Sequence, residues 1–277
     1  MIPVDFTVNT EVAIRKALSL SDGPGTTIHL LHISTVATNN ILSIYQYFAN
    51  YSFKDNKFDL KVAIDKLENI RDYITSIRKD IEVVTRVLFN PSIESAIIQM
   101  ASELRPDLII IGKNSHHSWL PFLNTVVPSR LAMKSESTVL TAKPGALNNA
   151  IKTIVVPISD NFPSSKFSII NAFTNRTPVH IKLVTFLTAQ DDVKVIPASL
   201  LNAYRLLRNN ASNHVSYEIL YGQNKVRAVL RYCNKINADM VIVNPGTETK
   251  VGWLNKQMSD LLPTNSKTQI LAVHPVS

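Results

Sequence analysis

Hydrophobic residues follow two different periods along this chain. Helical spacing of three and four residues recurs in several stretches, and short apolar runs lie between them. The helical runs are Ala13, Ile14, Ala17 and Leu18; Leu60, Ala63, Ile64, Leu67, Ile70, Ile74 and Ile77; and Val226, Val229, Leu230, Cys233 and Ile236. The short runs are mostly apolar throughout, which is typical of parallel strands covered on both faces. Strands that alternate with helices predict an α/β fold.

The same series of landmarks occurs twice. An acid leads into a continuous apolar run in RPDLIIIG at residues 105–112 and in NADMVIVN at residues 237–244. The two halves also open alike, with MIPVDF and IVVPIS, and close alike, with TVLTAKP and QILAVHP. Matched landmarks in the same order indicate a duplicated unit.

Each copy reads β-α-β-α-β-α-β-α-β, which predicts two tandem doubly wound domains, each with a five-stranded parallel sheet. The domains are expected at residues 1–144 and 151–277, with GALNNA at 145–150 as the linker. The first copy is longer by an insertion at residues 39–59, expected as a surface excursion or an extra helix, with a lid over a pocket as the alternative.

Composition removes several classes of function. The chain has 277 residues and only 7 glycines, against about 19 at average usage, which argues against several glycine-rich phosphate loops. Its single cysteine, Cys233, excludes an intramolecular disulfide and a multi-cysteine metal site. No apolar run approaches the roughly 20 residues that span a bilayer, and the amino terminus does not resemble a signal peptide. We expect a cytoplasmic protein without a membrane partner.

The net charge of +8 lies almost entirely in the second half. Arg227, Arg231 and Lys235 repeat at every fourth position of a predicted helix that carries no acid. Such a stripe is usually a solvated face, and the alternative is a surface for an anion, a nucleic acid or a partner. Nucleic acid is not an expected partner, because no recognised binding motif accompanies the stripe.

The strand ends of the first half offer polar groups. Ligands of open parallel sheets lie beyond the carboxyl ends of the strands, where strand one ends in Pro3-Val4-Asp5 and strand four in Ile111-Gly112. A helix predicted to start near Asn124-Thr125 can seat a phosphate at its amino end. Asp5 can accept hydrogen bonds from an adenine amino group or a ribose hydroxyl. Alternatively, Asp5 caps the first helix and Asn124 or Thr125 caps the fourth.

The order VDF, DLIIIG, NT and TVLTAKP resembles the universal stress protein family in its tandem two-domain form. Family members carry an aspartate at the end of strand one and the pattern G-x2-G-x9-G-[S/T] after strand four. The resemblance implies a Rossmann-like fold of the adenine-nucleotide α-hydrolase type. It also implies that the two halves pair through their last strands, 138–143 and 268–274, as a pseudo-dimer.

The resemblance further implies an adenine-nucleotide site, for ATP or a close relative, in the first half. Its residues are Pro3, Val4, Asp5, Ile33, Ile111, Gly112, Ser115, Asn124, Thr125 and Val126. Ser115 stands in place of the second motif glycine, and Asn124-Thr125 in place of the closing pair. In the second half Ser159 replaces the aspartate and the motif glycines are missing, so no cofactor is expected there.

Other reactive side chains have simpler interpretations. A metal site needs about three convergent ligands, so His116-His117 is expected to be a solvated loop pair, with phosphate contact as the alternative. His29 and His180 match in the second strands, which favours packing. Cys233 lies on an apolar helical stripe and is expected to be a buried hydrophobe.

No enzymatic motif emerges from the sequence. We therefore expect a regulatory or binding protein of the stress response, with an adenine nucleotide and an unidentified protein as partners. The alternative is a nucleotide-free scaffold that acts through protein or anion contacts of its basic second half. A nucleotide-hydrolysing enzyme would need a water-activating base that the sequence does not identify. A further association of two chains stays open.

Overall fold

The structure is a computed structural model, and its description covers a defined part of the chain. The described residues are 1–21, 23–34, 54–113, 126–147, 150–158, 164–174, 178–187, 197–209, 214–222, 224–245, 248, 250–251, 254–263 and 265–274. No helix in these ranges is long and apolar enough to cross a membrane. Residues 39–53 of the predicted insertion lie outside them.

Strands and helices alternate through both halves. The first half, residues 1–144, contains β1 (Ile2–Val4), α1 (Val8–Leu20), β2 (Thr27–Ser34), α2 (Lys54–Ile77), β3 (Glu82–Phe89), α3 (Ile93–Leu104), β4 (Leu108–Gly112), α4 (Pro128–Lys134) and β5 (Thr138–Ala142). A 3-10 turn (Pro144–Ala146) leads to the second half, residues 151–277. This contains β6 (Thr153–Pro157), α5 (Ser164–Thr174), β7 (His180–Leu187), α6 (Ala198–Asn209), β8 (His214–Tyr221), α7 (Lys225–Lys235), β9 (Met240–Val243), the hairpin β10 (Lys250–Val251) and β11 (Leu254–Gln257), α8 (Met258–Leu261) and β12 (Gln269–Ala272). Residues 54–59 of the insertion thus form the start of α2.

The strands of the two halves follow the same spatial order. In the described residues β1, β2 and β3 form a three-stranded parallel sheet, and a seven-stranded sheet runs β4-β5-β12-β9-β6-β7-β8. The second half thus orders its strands β8-β7-β6-β9-β12, and the first half places β3-β2-β1 beside β4-β5. The α/β class and the parallel pairing within each half are confirmed.

The prediction of one separate five-stranded sheet per half is not confirmed. Met1 links β1 to β4: its nitrogen donates to the Leu108 carbonyl oxygen at 2.8 Å, and its carbonyl oxygen accepts from the Ile110 amide at 3.0 Å. Pro3, in the middle of β1, has no backbone N–H to donate, so the ladder does not extend beyond this contact. At the other end, β4 and β5 join the five strands of the second half.

The junction between the halves is an antiparallel pair, β5 with β12. Leu140 lies opposite Leu271, and Val139 lies opposite Ala272. These side chains are almost fully buried, and β12 also pairs in parallel with β9. The predicted pairing of the last strands is therefore confirmed.

Helices cover both faces of the sheets. Alternating residues of β4 show the division: Ile109 and Ile111 belong to a core under α3, α4, α7 and α8, whereas Ile110 belongs to a core under α1, α2, α5 and α6. Each core collects residues from both halves. The continuous apolar runs of the strands are explained by this two-sided burial.

In the structure, the second strands of the two halves align in a different register from the one that their sequences indicate. β2 and β7 have equal lengths, and each pairs with its outer neighbour from its first residue, so Thr27 takes the position of His180. The counterpart of His29 is then Lys182. The predicted match of His29 with His180 is wrong by two residues, because strand pairing rather than side-chain likeness sets the register.

We predict that Leu271→Ala lowers the free energy of unfolding of the whole chain by about 2–5 kcal/mol, because it opens a cavity where the halves join. Urea unfolding should show one transition, since β12 is bonded to strands of both halves. The control Leu206→Ala, at a side chain 42% exposed on α6, should cost less than about 1 kcal/mol. Two separate transitions, of which Leu271→Ala shifts one, would contradict this account.

Candidate functional site

Open parallel sheets bind nucleotides beyond the carboxyl ends of their strands, where the strand order reverses, and in each half this place lies after the first and fourth strands. We call the region around Asp5 and Gly112, after β1 and β4, the first crevice. The second crevice lies after β6 and β9, around Pro157 and Asn244. The residues that fill the two crevices differ strongly.

In the first crevice, Asp5 organises the start of α1. Its Oδ1 accepts hydrogen bonds from the Thr7 amide at 3.0 Å, the Thr7 hydroxyl at 2.6 Å and the Thr10 hydroxyl at 2.8 Å. Its Oδ2 accepts one from Asn9 Nδ2 at 3.2 Å. Thr7 is the N-cap of α1, and its side chain accepts from the Asn9 amide. The prediction that Asp5 caps α1 is therefore wrong in detail, because Thr7 is the cap and Asp5 holds Thr7 in place. Asp5 Oδ2 has one donor and so has capacity for another.

Gly112 makes the close contact between β4 and α1. A Cβ atom at this position would lie 1.9 Å from the Asn9 carbonyl oxygen. The glycine is thus required by helix packing, a reason that the sequence motif does not reveal. Because Asn9 contacts both Asp5 and Gly112, the structure brings these two predicted site residues together as expected.

The other described site residues present backbone atoms, rather than side chains, to the first crevice. Ile33, Ile111 and Val126 are almost fully buried in one core. Val4 is buried too, and its carbonyl oxygen lies 2.9 Å from His32 Nδ1. Burial lowers the pKa of His32, which favours the neutral ring that donates this bond. One backbone acceptor of the predicted adenine side is therefore already engaged.

The phosphate side differs from the prediction. Ser115, Asn124 and Thr125 lie outside the described residues, as do His116 and His117. Helix α4 begins at Pro128 rather than near Asn124-Thr125, and Val127 is its N-cap without a side-chain bond. A residue before proline is pushed into extended backbone, so the helix cannot begin earlier there.

Two lysines and an aspartate lie at the carboxyl ends of β4 and β5. Lys113 follows β4, is 6% exposed, and places Nζ 3.2 Å from Oδ1 of Asp260 on α8 of the second half. Lys143 follows β5 and is 2% exposed. Burial and the neighbouring Lys113 lower the pKa of Lys143 to about 8, while Asp260 acts to raise it. Sequence reasoning could have found the two lysines, because each is a polar residue at the end of an apolar run. Asp260 comes close to Lys113 only in the tertiary fold.

An ion pair within the chain links the carboxyl ends of β6 and β9 in the second crevice. Lys166 of α5 is 1% exposed and donates to the Pro157 carbonyl oxygen at 2.8 Å. Its Nζ also lies 3.0 and 2.8 Å from the two carboxylate oxygens of Glu248, which accept a further bond from the Asn244 amide. Burial lowers the pKa of Lys166, and Glu248 opposes that change. Sequence reasoning missed this pair, since the partners are 82 residues apart.

The remaining candidates have structural roles or face solvent. Cys233 is buried, which raises the pKa of its thiol to about 12 and confirms the packing interpretation. Arg227, Arg231 and Lys235 form an exposed row on α7. Within the described part of the chain, no three metal-ligating side chains come together.

Known proteins resemble the chain in sequence over one half and in fold over both. Residues 1–143 match the sequence model of the Universal stress protein family. No curated protein matches the chain significantly in sequence.

Three crystal structures show the extent of the fold similarity. A universal stress protein from Archaeoglobus fulgidus DSM 4304 is 15% identical with a TM-score of 0.67, over 99% of this chain and 96% of that one. A functionally unknown protein from Pseudomonas aeruginosa PAO1 is 13% identical with a TM-score of 0.50, over 99% and 91%. The cytoplasmic domain of a prokaryotic cation chloride cotransporter is 11% identical with a TM-score of 0.51, over 98% and 92%. At such identities the likeness describes the fold alone.

We predict that Gly112→Ala lowers the free energy of unfolding by about 2 kcal/mol or more, because the added methyl group must push α1 away from β4. Amide hydrogen exchange in α1 should accelerate. The neighbouring control Ile111→Val removes one buried methyl group and should cost only about 0.5–1.5 kcal/mol. A Gly112→Ala variant as stable as this control would refute the packing role.

We also predict that Glu248→Gln costs about 3–5 kcal/mol in chemical denaturation, because it leaves the Lys166 ammonium buried without a counter-charge. The double variant Lys166→Met, Glu248→Leu should recover most of this loss. The control Glu94→Gln removes the partner of the exposed Arg130 and should cost under about 1 kcal/mol. Equal effects of Glu248→Gln and Glu94→Gln would show that the pair does not hold the second crevice together.

Proposed function

The chain belongs to the universal stress protein family, and from this premise we propose that it is a tandem member that binds an adenine nucleotide in its first crevice alone. ATP or a close relative is the proposed ligand, bound without turnover in a regulatory role in the stress response. The repeated strand order supports the tandem form. So does the alignment with the Archaeoglobus protein, which extends over both halves.

The asymmetry of the two crevices carries this proposal. In the first, Asn9 holds Asp5 and Gly112 together, and Asp5 Oδ2 accepts a single hydrogen bond from the described residues. In the second, the carboxylate of Glu248 already satisfies the buried Lys166. Among the described residues, the first crevice therefore offers Asp5 Oδ2 as an acceptor with capacity for a ligand, whereas the buried ammonium of the second crevice is already paired.

The residues of the first crevice fit the base and ribose end of a nucleotide. A ribose hydroxyl or an adenine amino group can donate to Asp5 Oδ2 without disturbing the three bonds that Oδ1 receives. Those bonds also hold the carboxylate in one orientation, so little side-chain entropy is lost on binding. The bound nucleotide would add hydrogen-bond donors here, and we assign no catalytic step to any residue of the chain.

A second candidate function is a nucleotide-free scaffold that binds an acidic protein surface. The exposed row of Arg227, Arg231 and Lys235 favours it, because α7 carries no acid to neutralise these charges. In that case the Asp5 network would serve α1 alone. Binding to the row would weaken steeply with salt.

We predict that the full-length protein, freed of copurified ligand, binds ATP in calorimetric titration and that Asp5→Asn weakens this binding at least tenfold, about 1.4 kcal/mol. The asparagine keeps the shape but replaces one acceptor oxygen by a donor. The matched control Ser159→Ala changes the corresponding position of the second half and should leave the affinity unchanged. Thermal unfolding of each variant checks that the titrated protein is folded.

Three outcomes would contradict the proposed function. If the wild-type chain binds neither ATP nor ADP, the scaffold becomes the better account. If Ser159→Ala weakens binding as much as Asp5→Asn does, the ligand is not confined to the first crevice. Release of ADP during the titration would contradict binding without turnover.

A further inference from the structure

The charged groups where the two halves meet are not balanced. Lys113, Lys143 and Asp260, which we call the inter-half cluster, combine two ammonium groups with one carboxylate. The Lys113 amide bonds the Ala142 carbonyl oxygen, so Lys113 and Lys143 follow neighbouring strands side by side. Asp260 approaches from α8, close to the amino end of β12.

Burial makes this imbalance costly. The side chains of Lys113 and Lys143 are almost fully buried, and a buried charge is stable only when it is paired and hydrogen-bonded. Asp260 pairs with Lys113. Lys143 Nζ makes no hydrogen bond or ion pair with any described residue. The cluster therefore holds one more cation than its own carboxylate can balance.

Two other buried lysines have acceptors within the chain. Lys16 of α1 is 1% exposed, and its Nζ donates to the Ala146 carbonyl oxygen at 3.1 Å. Lys166 has its carboxylate partner in the second crevice. Lys143 differs from both, since its Nζ has no hydrogen-bond acceptor among the described residues, and the neighbouring Lys113 lowers its pKa while Asp260 opposes that change.

Asp260 is the member of the inter-half cluster that is most exposed to solvent. The Asp260 side chain is 39% exposed, whereas that of Lys113 is 7% exposed. An anion can therefore approach from the α8 side and meet both ammonium groups. Two adjacent lysines suit a compact anion of more than one charge, because each ammonium can donate to a different oxygen.

We propose that Lys143 and Lys113 bind a phosphoryl anion between the two halves, with Asp260 as the competing carboxylate. The anion is either free phosphate or pyrophosphate, or the phosphate end of a nucleotide; only the latter case rests on the proposed function. The site adjoins the first crevice, since Lys113 directly follows Gly112. Occupancy would weaken the Lys113–Asp260 contact and so change a link between the halves.

The test is calorimetric titration of the full chain with inorganic pyrophosphate, phosphate and adenosine, each at the same ionic strength. Lys143→Met should weaken pyrophosphate binding at least tenfold, because it removes the unbalanced ammonium. Asp260→Asn should tighten it severalfold, because it removes the competitor. Lys16→Met, a matched buried lysine on the opposite face of the sheet, should leave it unchanged.

Each outcome decides the matter. Absence of pyrophosphate and phosphate binding by the wild type overturns the proposal, as does an affinity that Lys143→Met and Lys16→Met lower equally. If Lys143→Met does not fold, the exposed Asp260→Asn variant decides, and weaker binding by it also overturns the site. Adenosine separates the two proposals: binding of pyrophosphate without adenosine supports the cluster and counts against the base site of the first crevice, and the reverse result does the opposite.

Discussion

The antiparallel pairing of β5 with β12 is the constraint on which the rest of the architecture depends. It joins strands of both halves into one layer, so each core draws side chains from both. It also makes the strands of the second half run opposite to those of the first, which places the two crevices at opposite ends of the strands. Since the amino end of β12 then lies beside the carboxyl end of β5, Asp260 reaches the end of the first half's strands.

Buried lysines mark where the two halves have diverged. Lys166 occupies the second crevice with a carboxylate of its own chain, and Lys16 donates to the backbone carbonyl oxygen of Ala146 in the linker. For Lys143, burial and the neighbouring Lys113 lower the pKa, and Asp260 is the carboxylate that opposes this change. Where the chain itself supplies a partner for a buried ammonium group, the site is already occupied. Where it does not, an anion can take the partner's place.

Much of the fold could be predicted from the sequence. Strands that are buried on both faces have continuous apolar runs, and helices that pack on a sheet have a helical apolar period. The pairing of the last strands followed from the resemblance and is confirmed. The division into a three-stranded and a seven-stranded sheet was not predicted, although Pro3 in β1 lacks the N–H that would continue the ladder to β4. The site was harder. Asp5 and Gly112 do meet, but Gly112 is explained by its contact with Asn9, and α4 begins later because of Pro128. Lys166 and Glu248 are distant in sequence, so no motif could join them.

The number of adenine nucleotides bound per chain at saturation tests the central claim most directly. Native mass spectrometry of the intact protein, titrated with ATP, resolves this number without assigning it to a residue. The difference between the crevices predicts one nucleotide per chain. Two per chain would mean that the Lys166–Glu248 pair does not close the second crevice, and none would mean that the Asp5 network serves only the helix it caps.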